Sequence, residues 1–155
     1  MSTHSYKLKT TWTGNRGEGT SAYRAYDRNH TIQIDGKPEL FGSADLMFRG
    51  DMSRHNPEDL LLAAISACHL MSFLHVCVME GVVVTAYEDH ATAKMQVNPD
   101  GSGHFVSAML NPIVTVTDEA MIAKLDAIHE KANKLCFIAN SCNFPIHHHA
   151  TGKVG

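Results

Sequence analysis

The sequence lacks several features by which common classes of protein are known. Lysine and arginine number 13 against 16 acidic residues, and the basic residues do not cluster, which argues against nucleic-acid binding. No pair among the four cysteines has CxxC spacing, so neither a zinc ribbon nor a thioredoxin motif is indicated. The N-terminal residues lack the apolar core of a signal peptide. We therefore expect a cytoplasmic protein, in which structural disulfides are rare.

The most prominent feature that is present is an uncharged stretch from Leu60 to Met79. Asn56–Asp59 carries a helix-start signal, with a capping asparagine, a proline and two acidic residues, and Gly81 is a stop signal. Apolar residues lie all round this predicted helix, so we expect it to be buried on most faces. The stretch is long enough to span a membrane, but its serines and histidines favour a core helix.

Strand patterns and a second helix accompany this central helix. They are Lys7–Thr13, Ser21–Asp35, Val82–Val97, Phe105–Thr117, an amphipathic helix starting at Asp118, and a short strand within Asn143–Val154. The order has no βαβ rhythm, so it predicts an α+β fold with antiparallel sheets wrapped around the helix. The length of 155 residues fits a single domain, 1–155. One small domain leaves part of the helix uncovered, so we expect a homodimer.

Two of the cysteines have ordinary interpretations. Cys77 lies nine residues beyond Cys68, on the opposite side of a straight helix, and a buried cysteine is usually a small apolar filler. Cys142 lies in a predicted loop or helix start and is ambiguous.

The other two cysteines are the candidates for reactivity, which requires a stabilised thiolate. Cys136 follows the end of the second helix, and Cys68 would lie at a helix N-terminus if the central helix broke near Ala67, where Ser66 could cap a new turn. An unbroken helix would instead place Cys68 in its middle.

Histidine is abundant, with 11 residues, and raises the question of a metal site. A strand would send His147 and His149 to one face and His148 to the other, which weakens the run as a metal site. A site formed by Cys68 with His69 or His75 is the remaining alternative. The preferred interpretation has no metal and no cofactor.

Several segments together resemble the OsmC/Ohr family. They are Asn56–Leu61, Ser66–His69, Gly81 with the β-branched run after it, Ala93–Met95 and Cys136–Ser141. The resemblance covers nearly the whole chain. It implies an OsmC-like fold and an intertwined homodimer.

The same resemblance implies a function, thiol-dependent reduction of organic hydroperoxides. It assigns Cys68 as the peroxidatic cysteine, Cys136 as the resolving cysteine that closes a disulfide with it, and Glu58 as the residue that orients an arginine. Arg16, in a glycine-rich turn like that of the Ohr branch, is the preferred arginine. Arg49, close to the helix start as in the OsmC branch, is the alternative. A dithiol reductant, such as a lipoylated protein, would restore the thiols.

Three departures from the better-studied branches accompany this resemblance: a longer loop at Phe48–Asp51, the additional Cys142, and His69 directly after the first cysteine. They keep a second function open, a non-enzymatic or stress-response binding protein whose dimer cleft holds an apolar ligand. The proposed chemistry also sets a geometric demand. Glu58 and Cys68 would be about 15 Å apart along a straight helix, so we predict the break near Ala67.

Overall fold

The computed structural model describes all 155 residues and has a mixed α+β fold. Contacts between Cα atoms divide the chain into two compact units, Met1–Leu60 and Leu61–Gly155. The first unit contains one antiparallel sheet in the order β1-β2-β3. Its strands are β1 (Lys9–Trp12), β2 (His30–Gln33) and β3 (Leu40–Gly42), followed by a 3-10 helix, Leu46–Phe48.

The predicted strand Ser21–Asp35 is wrong over most of its length, because only His30–Gln33 is extended. Upstream, the Arg28 guanidinium lies 4.6 Å from the ring centre of Tyr23 and 4.2 Å from that of Tyr26. It also donates hydrogen bonds to the main-chain carbonyls of both tyrosines. The side chain of Arg28 thus takes carbonyls that a strand ladder would need. A period-two pattern cannot reveal this competition.

The central helix, α1 (Pro57–Met79), begins and ends where the sequence indicates. Asn56 Oδ1 accepts a hydrogen bond from the Asp59 N–H (2.7 Å), and the Asp59 carboxylate accepts one from the Asn56 N–H (3.2 Å). This reciprocal pair satisfies main-chain donors at the helix start. At the other end Gly81 has a φ of +67°, and the Val82 N–H donates to the Cys77 carbonyl (2.9 Å).

The predicted break near Ala67 is wrong, because α1 is continuous from Pro57 to Met79. No glycine or proline follows Pro57 within the helix. The Ser66 hydroxyl does not cap a new turn. It donates a hydrogen bond to the Asp89 carboxylate at 2.5 Å.

The prediction that α1 is buried on most faces is also wrong for the single chain. Five of its 23 residues are buried: Ile65, His69, Phe73, Val76 and Cys77. Met71, Val78 and Met79 are exposed. By length and composition α1 could cross a membrane, and 28% of its most apolar 18-residue window is buried. One chain has too few elements to cover so wide an apolar surface.

The second unit contains two three-stranded sheets, β4-β7-β9 and β5-β6-β8. Their strands are β4 (Val84–Asp89), β5 (Thr92–Val97), β6 (Gly103–Leu110), β7 (Pro112–Val116), β8 (Ile146–His148) and β9 (Thr151–Val154). In each sheet an antiparallel pair is extended by one late strand in parallel, β8 beside β6 and β9 beside β7. The single strand expected within Asn143–Val154 is therefore two short strands.

The two long strands predicted after α1 are also each divided in two. The break falls at His90 and Ala91 in the first and at Asn111 in the second. The Asp89 carboxylate accepts the Asn111 N–H (2.7 Å), and the Asn111 amide donates to the His90 carbonyl (2.9 Å). These side-chain bonds replace ladder bonds at the corner, so the hairpin passes from one sheet to the other.

The second helix, α2 (Leu125–Leu135), follows a 3-10 helix, Glu119–Lys124. The first turns of the helix predicted to start at Asp118 are 3-10 rather than α-helical, and the Asp118 side chain caps them by accepting the Ala120 N–H at 2.8 Å. The main core packs α1 and α2 together with the sheet that contains β7. Its buried residues are Phe73, Val76, Cys77, Val82, Val114, Val116, Leu125, Ile128 and Ala132. The prediction that Cys77 is an apolar filler is confirmed.

Candidate active site

In the second unit the Cys136 thiol lies near the Cys68 thiol, close enough for the two groups to interact. Cys68 lies near the middle of α1 and is half-buried, whereas Cys136 directly follows the last residue of α2 and is 1% exposed. Both thiols are free. The contact does not depend on a break in α1, because the end of α2 reaches the middle of the helix.

The environment of Cys136 favours its protonated form. Burial, with the neighbouring Cys68 thiol acting in the same direction, raises the pKa of this thiol to about 11. The Ala139 N–H donates to Cys136 Sγ at 3.3 Å and opposes these effects. Cys136 is therefore a thiol at neutral pH, and Cys68 is the more accessible sulfur of the pair.

A second contact between α1 and α2 lies beside the cysteines. His69 Nε2 and His129 Nδ1 are 2.9 Å apart, and both side chains are fully buried. The two rings are nearly parallel (7°) with centres 5.2 Å apart. Because the nitrogens are close while the ring centres are far apart, the two rings share a plane and are joined edge to edge by a hydrogen bond. Phe73, one turn further along α1, stacks on a face of the His129 ring, with ring centres 4.1 Å apart.

The buried histidines are neutral in the folded protein. Burial lowers the pKa of His69 to about 4, and nearby His148 acts in the same direction while Asp89 opposes it. Burial, together with His69 and His148, lowers the pKa of His129 to about 3. His69 Nδ1 and His129 Nε2 are buried without hydrogen-bond partners. Each ring therefore uses only one of its two nitrogens.

The other predicted site residues lie in the first unit. Glu58 Oε2 is buried and has no hydrogen-bond partner, and neither Arg16 nor Arg49 forms an ion pair with this carboxylate. Arg16 donates to the carbonyls of Ala25 and Arg24. The bidentate Glu58–arginine pair expected from the sequence is thus absent from the single chain, because Arg16 is held within its own loop.

Arg49 has an unusual backbone conformation. It is the only non-glycine residue with a positive φ, at +63°, and its N–H closes the preceding 3-10 helix on the Leu46 carbonyl. Its guanidinium lies 5.3 Å from the ring centre of Tyr23. An arginine beside the Cys68 thiolate, whether Arg16 or Arg49, stays a prediction.

The histidines considered as metal ligands are dispersed. His75 is exposed, and His147 lies on the outer face of β8 while His148 turns towards His69 and His129, as strand alternation predicts. No group of three histidine, cysteine, aspartate or glutamate side chains is arranged to hold a metal ion.

Sequence reasoning missed the contribution of His129. Its signal is its position on the apolar face of α2, four residues after Leu125 and three before Ala132. A histidine at such a position lies in the core rather than in solvent. Which side chain meets it there cannot be read from α2 alone.

The fold and the paired cysteines define the class as an α+β protein with two free thiols in contact between its helices. The chain belongs to the OsmC-like protein family, whose model matches residues 50–149. This confirms the family resemblance and the OsmC-like fold. A search of curated proteins gave no match.

Solved structures with the same fold include an OsmC-like protein of unknown function from Vibrio cholerae, 25% identical, with a TM-score of 0.85 over 96% of this chain and 100% of that one. An organic hydroperoxide resistance protein from Elizabethkingia anophelis is 19% identical, with a TM-score of 0.69 over 98% of this chain and 99% of the other. The organic hydroperoxide resistance protein OhrB of Bacillus subtilis is 15% identical, with a TM-score of 0.65 over 96% and 98%.

Proposed function

We propose that this protein is a thiol-dependent peroxidase that reduces organic hydroperoxides through Cys68. One observation carries the proposal: the thiols of Cys68 and Cys136, far apart in sequence, lie near enough to interact, one on α1 and the other at the end of α2. Membership of the OsmC-like family supports it, as does the fold shared with proteins described as organic hydroperoxide resistance proteins.

The reaction proceeds in three steps. The Cys68 thiolate attacks a peroxide oxygen and breaks the O–O bond, giving a sulfenic acid on Cys68 and an alkoxide that takes up a proton and leaves as the alcohol. The Cys136 thiol then attacks the Cys68 sulfur, and the sulfenic hydroxyl leaves with the thiol proton as water. A dithiol reductant finally exchanges with the Cys68–Cys136 disulfide, restoring both thiols and becoming a disulfide itself.

The burial of the two sulfurs supports this division of roles. Cys68 is half-buried, so a hydroperoxide can reach it more easily than Cys136, which is 1% exposed. The raised pKa of Cys136, about 11, keeps it protonated until a sulfenic acid forms next to it. A buried thiol in contact with the oxidised sulfur also protects that sulfur from further oxidation by closing the disulfide.

Glu58 and an arginine complete the proposed site. A cation beside Cys68 would lower the pKa of the thiol by opposite charge, and a carboxylate would orient that cation through paired hydrogen bonds. Glu58 Oε2 is buried and has no hydrogen-bond partner, whereas buried carboxylate oxygens are normally hydrogen-bonded. This oxygen therefore supports the proposal that an arginine donates a hydrogen bond to Glu58. Arg16 and Arg49 remain the candidates in our proposal.

We also propose that two copies form a homodimer and that the reductant is a dithiol, such as a lipoylated protein. The exposed apolar side chains on α1, among them Met71, Val78 and Met79, support the dimer, because large exposed apolar patches mark interaction surfaces.

The test is consumption of cumene hydroperoxide with dihydrolipoamide as the dithiol. We expect turnover by the wild type, loss of turnover in Cys68→Ser, and in Cys136→Ser accumulation of sulfinic or sulfonic acid on Cys68, detected by mass spectrometry. Cys142→Ser is the matched control, because Cys142 is half-buried but is not part of the pair, and it should retain turnover. Unchanged turnover in Cys68→Ser would exclude the proposal.

A second candidate function is the binding of an apolar ligand without catalysis. An open cavity of about 420 Å³ beside the end of α1 favours it, within the size range of ligand pockets. Its lining is mostly apolar and comprises Leu74, Cys77, Val78 and Gly81–Val84. Under this function Cys68→Ser would bind an apolar fluorescent probe as the wild type does, and neither protein would consume hydroperoxide.

A further inference from the structure

The hydrogen bond between His69 and His129 lies where the geometry of the two cysteines is set. His69 directly follows Cys68 on α1, and His129 precedes Cys136 by seven residues, which is two helical turns and therefore the same face of α2. Cys68 lies near Cys136, and Phe73, which comes later in α1, contacts His129, which comes earlier in α2. The two helices thus pass each other in opposite directions, and the histidine bond fixes how far one is displaced along the other.

The histidine pair is a poor way to fill a core. Each ring buries a nitrogen that has no partner, His69 Nδ1 and His129 Nε2, and both rings are fully buried. A buried polar atom without a partner destabilises the folded state, and replacing both members of such a pair with apolar groups of similar shape is often neutral or stabilising. What apolar rings cannot supply is a directional bond. A buried polar pair that adds direction but little stability is best explained by a role in aligning the two helices that it joins.

From this geometry we infer that His69 and His129 are positioning residues for the dithiol: their hydrogen bond holds α2 in the register that keeps Cys136 against Cys68. The inference rests on the proposed function, in which those sulfurs form a disulfide. A disulfide requires its Cα atoms to be within about 7 Å, so a small slide of α2 along α1 separates the sulfurs. The bond therefore raises the effective concentration of one thiol at the other.

The surroundings of the pair agree with a rigid, neutral contact. Asp89 on β4 and His148 on β8 are the titratable groups that act on His69, and His148 also acts on His129. Asp89 is already engaged by the Ser66 hydroxyl and the Asn111 N–H. Phe73 stacks on a face of the His129 ring, so this ring has little freedom to turn away from His69.

The experiment measures the equilibrium between dithiol and disulfide in glutathione redox buffers, without any peroxide. In this equilibrium the two protein thiols are oxidised to the Cys68–Cys136 disulfide while one glutathione disulfide is reduced to two thiols. We expect the equilibrium constant for closing the disulfide to fall about tenfold or more in the double variant His69→Phe/His129→Phe, because the effective concentration of the thiols falls. The stability of the same variant, from urea unfolding of the reduced protein, should be unchanged or higher.

A rescue variant and a control variant sharpen the test. His129→Asn places an amide atom where the ring has Nδ1, so it should keep the equilibrium constant within about threefold of the wild type, since the hydrogen bond is retained. His104→Asn changes an exposed histidine of β6, away from the pair, and should have no effect. An unchanged equilibrium constant for disulfide closure in the double phenylalanine variant overturns the inference. A lower constant in a variant that is also less stable to urea overturns it as well.

The two proposals fail in different ways. If the wild type does not consume hydroperoxide but the double variant shows the fall in equilibrium constant, the peroxidase proposal fails and the positioning role stands. If hydroperoxide is consumed and the constant is unchanged, the positioning role fails alone.

Discussion

At the scale of single residues, the site is built from groups whose neutral forms are favoured. Cys136, His69 and His129 are all buried, and burial moves the pKa of each in the direction that removes its charge. None of these three groups carries a positive charge at neutral pH. Any positive charge that activates Cys68 has to come from outside this group, which is why Arg16 and Arg49 stay central to the proposal.

The neutral histidines predict a dependence of stability on pH. Their pKa values lie near 4 and 3 in the folded protein, against 6.5 for an unperturbed histidine, so the unfolded chain binds more protons between these values. Above pH 6.5 the two histidines cause no pH dependence, and the free energy of unfolding falls as pH falls from 6.5 towards 4 for His69 and towards 3 for His129. Each should contribute a slope of about 1.4 kcal/mol per pH unit well below pH 6.5.

Urea unfolding at pH 7, 5.5 and 4.5 measures this slope. The double variant His69→Phe/His129→Phe is the control, since it lacks both groups and should show a flatter dependence. Equal slopes in the two proteins would contradict the burial of neutral histidines.

At the scale of elements, α1 is the support of both the core and the site. The face of α1 that carries Phe73, Val76 and Cys77 into the main core also carries His69 to α2, and Cys68 lies next to that face. Continuity of the helix is therefore useful. With a break near Ala67, the packing of α1 in the core would not fix the position of Cys68 along the helix axis.

Phe73 tests this coupling. Its side chain is 0% exposed and contacts the rings of His129 and Tyr87, so Phe73→Ala should lower the free energy of unfolding by about 3–5 kcal/mol, because a large cavity is left. Urea unfolding at pH 7 measures the loss. Glu130→Ala, at an exposed position of α2, should change stability by no more than about 0.5 kcal/mol. A loss below about 1 kcal/mol for Phe73→Ala would show that the core tolerates collapse there.

At the scale of the whole molecule, the exposed apolar face of α1 is the main unexplained surface of a single chain. Val78 is 81% exposed and Met79 is 73% exposed, although both belong to the most apolar segment of the sequence. Burial of apolar surface drives most protein association. A second copy of the chain is the occupant we propose.

Light scattering after size-exclusion chromatography tests the dimer. The wild type should have twice the mass of one chain, and Val78→Glu should shift it towards the monomer, because a carboxylate would be buried at the interface. Val97→Glu, which introduces the same charge at an exposed position of β5, is the control and should leave the mass unchanged. A monomeric wild type, or a Val78→Glu protein that stays dimeric, would count against this interface.

The sequence by itself determined the features that depend on neighbouring residues. The start of α1 at Asn56 and Pro57 and its stop at Gly81 follow from short-range capping rules, and the structure confirms both. The family resemblance, which rests on local motifs, singled out Cys68 and Cys136 in the same way. Periodicity gave the existence of the long strands but not their corners, because the Asn111 N–H donates to the Asp89 carboxylate across 22 residues.

Only the tertiary structure decided which distant groups meet. Ser66 looked like a helix cap and is instead a donor to Asp89, and the partner of His69 lies 60 residues away on α2. A local pattern records which face of an element is apolar, but it does not record how far one helix is displaced along another. That displacement brings Cys136 to Cys68, and it is fixed by packing and by the histidine hydrogen bond, whose partners are chosen only when the chain has folded.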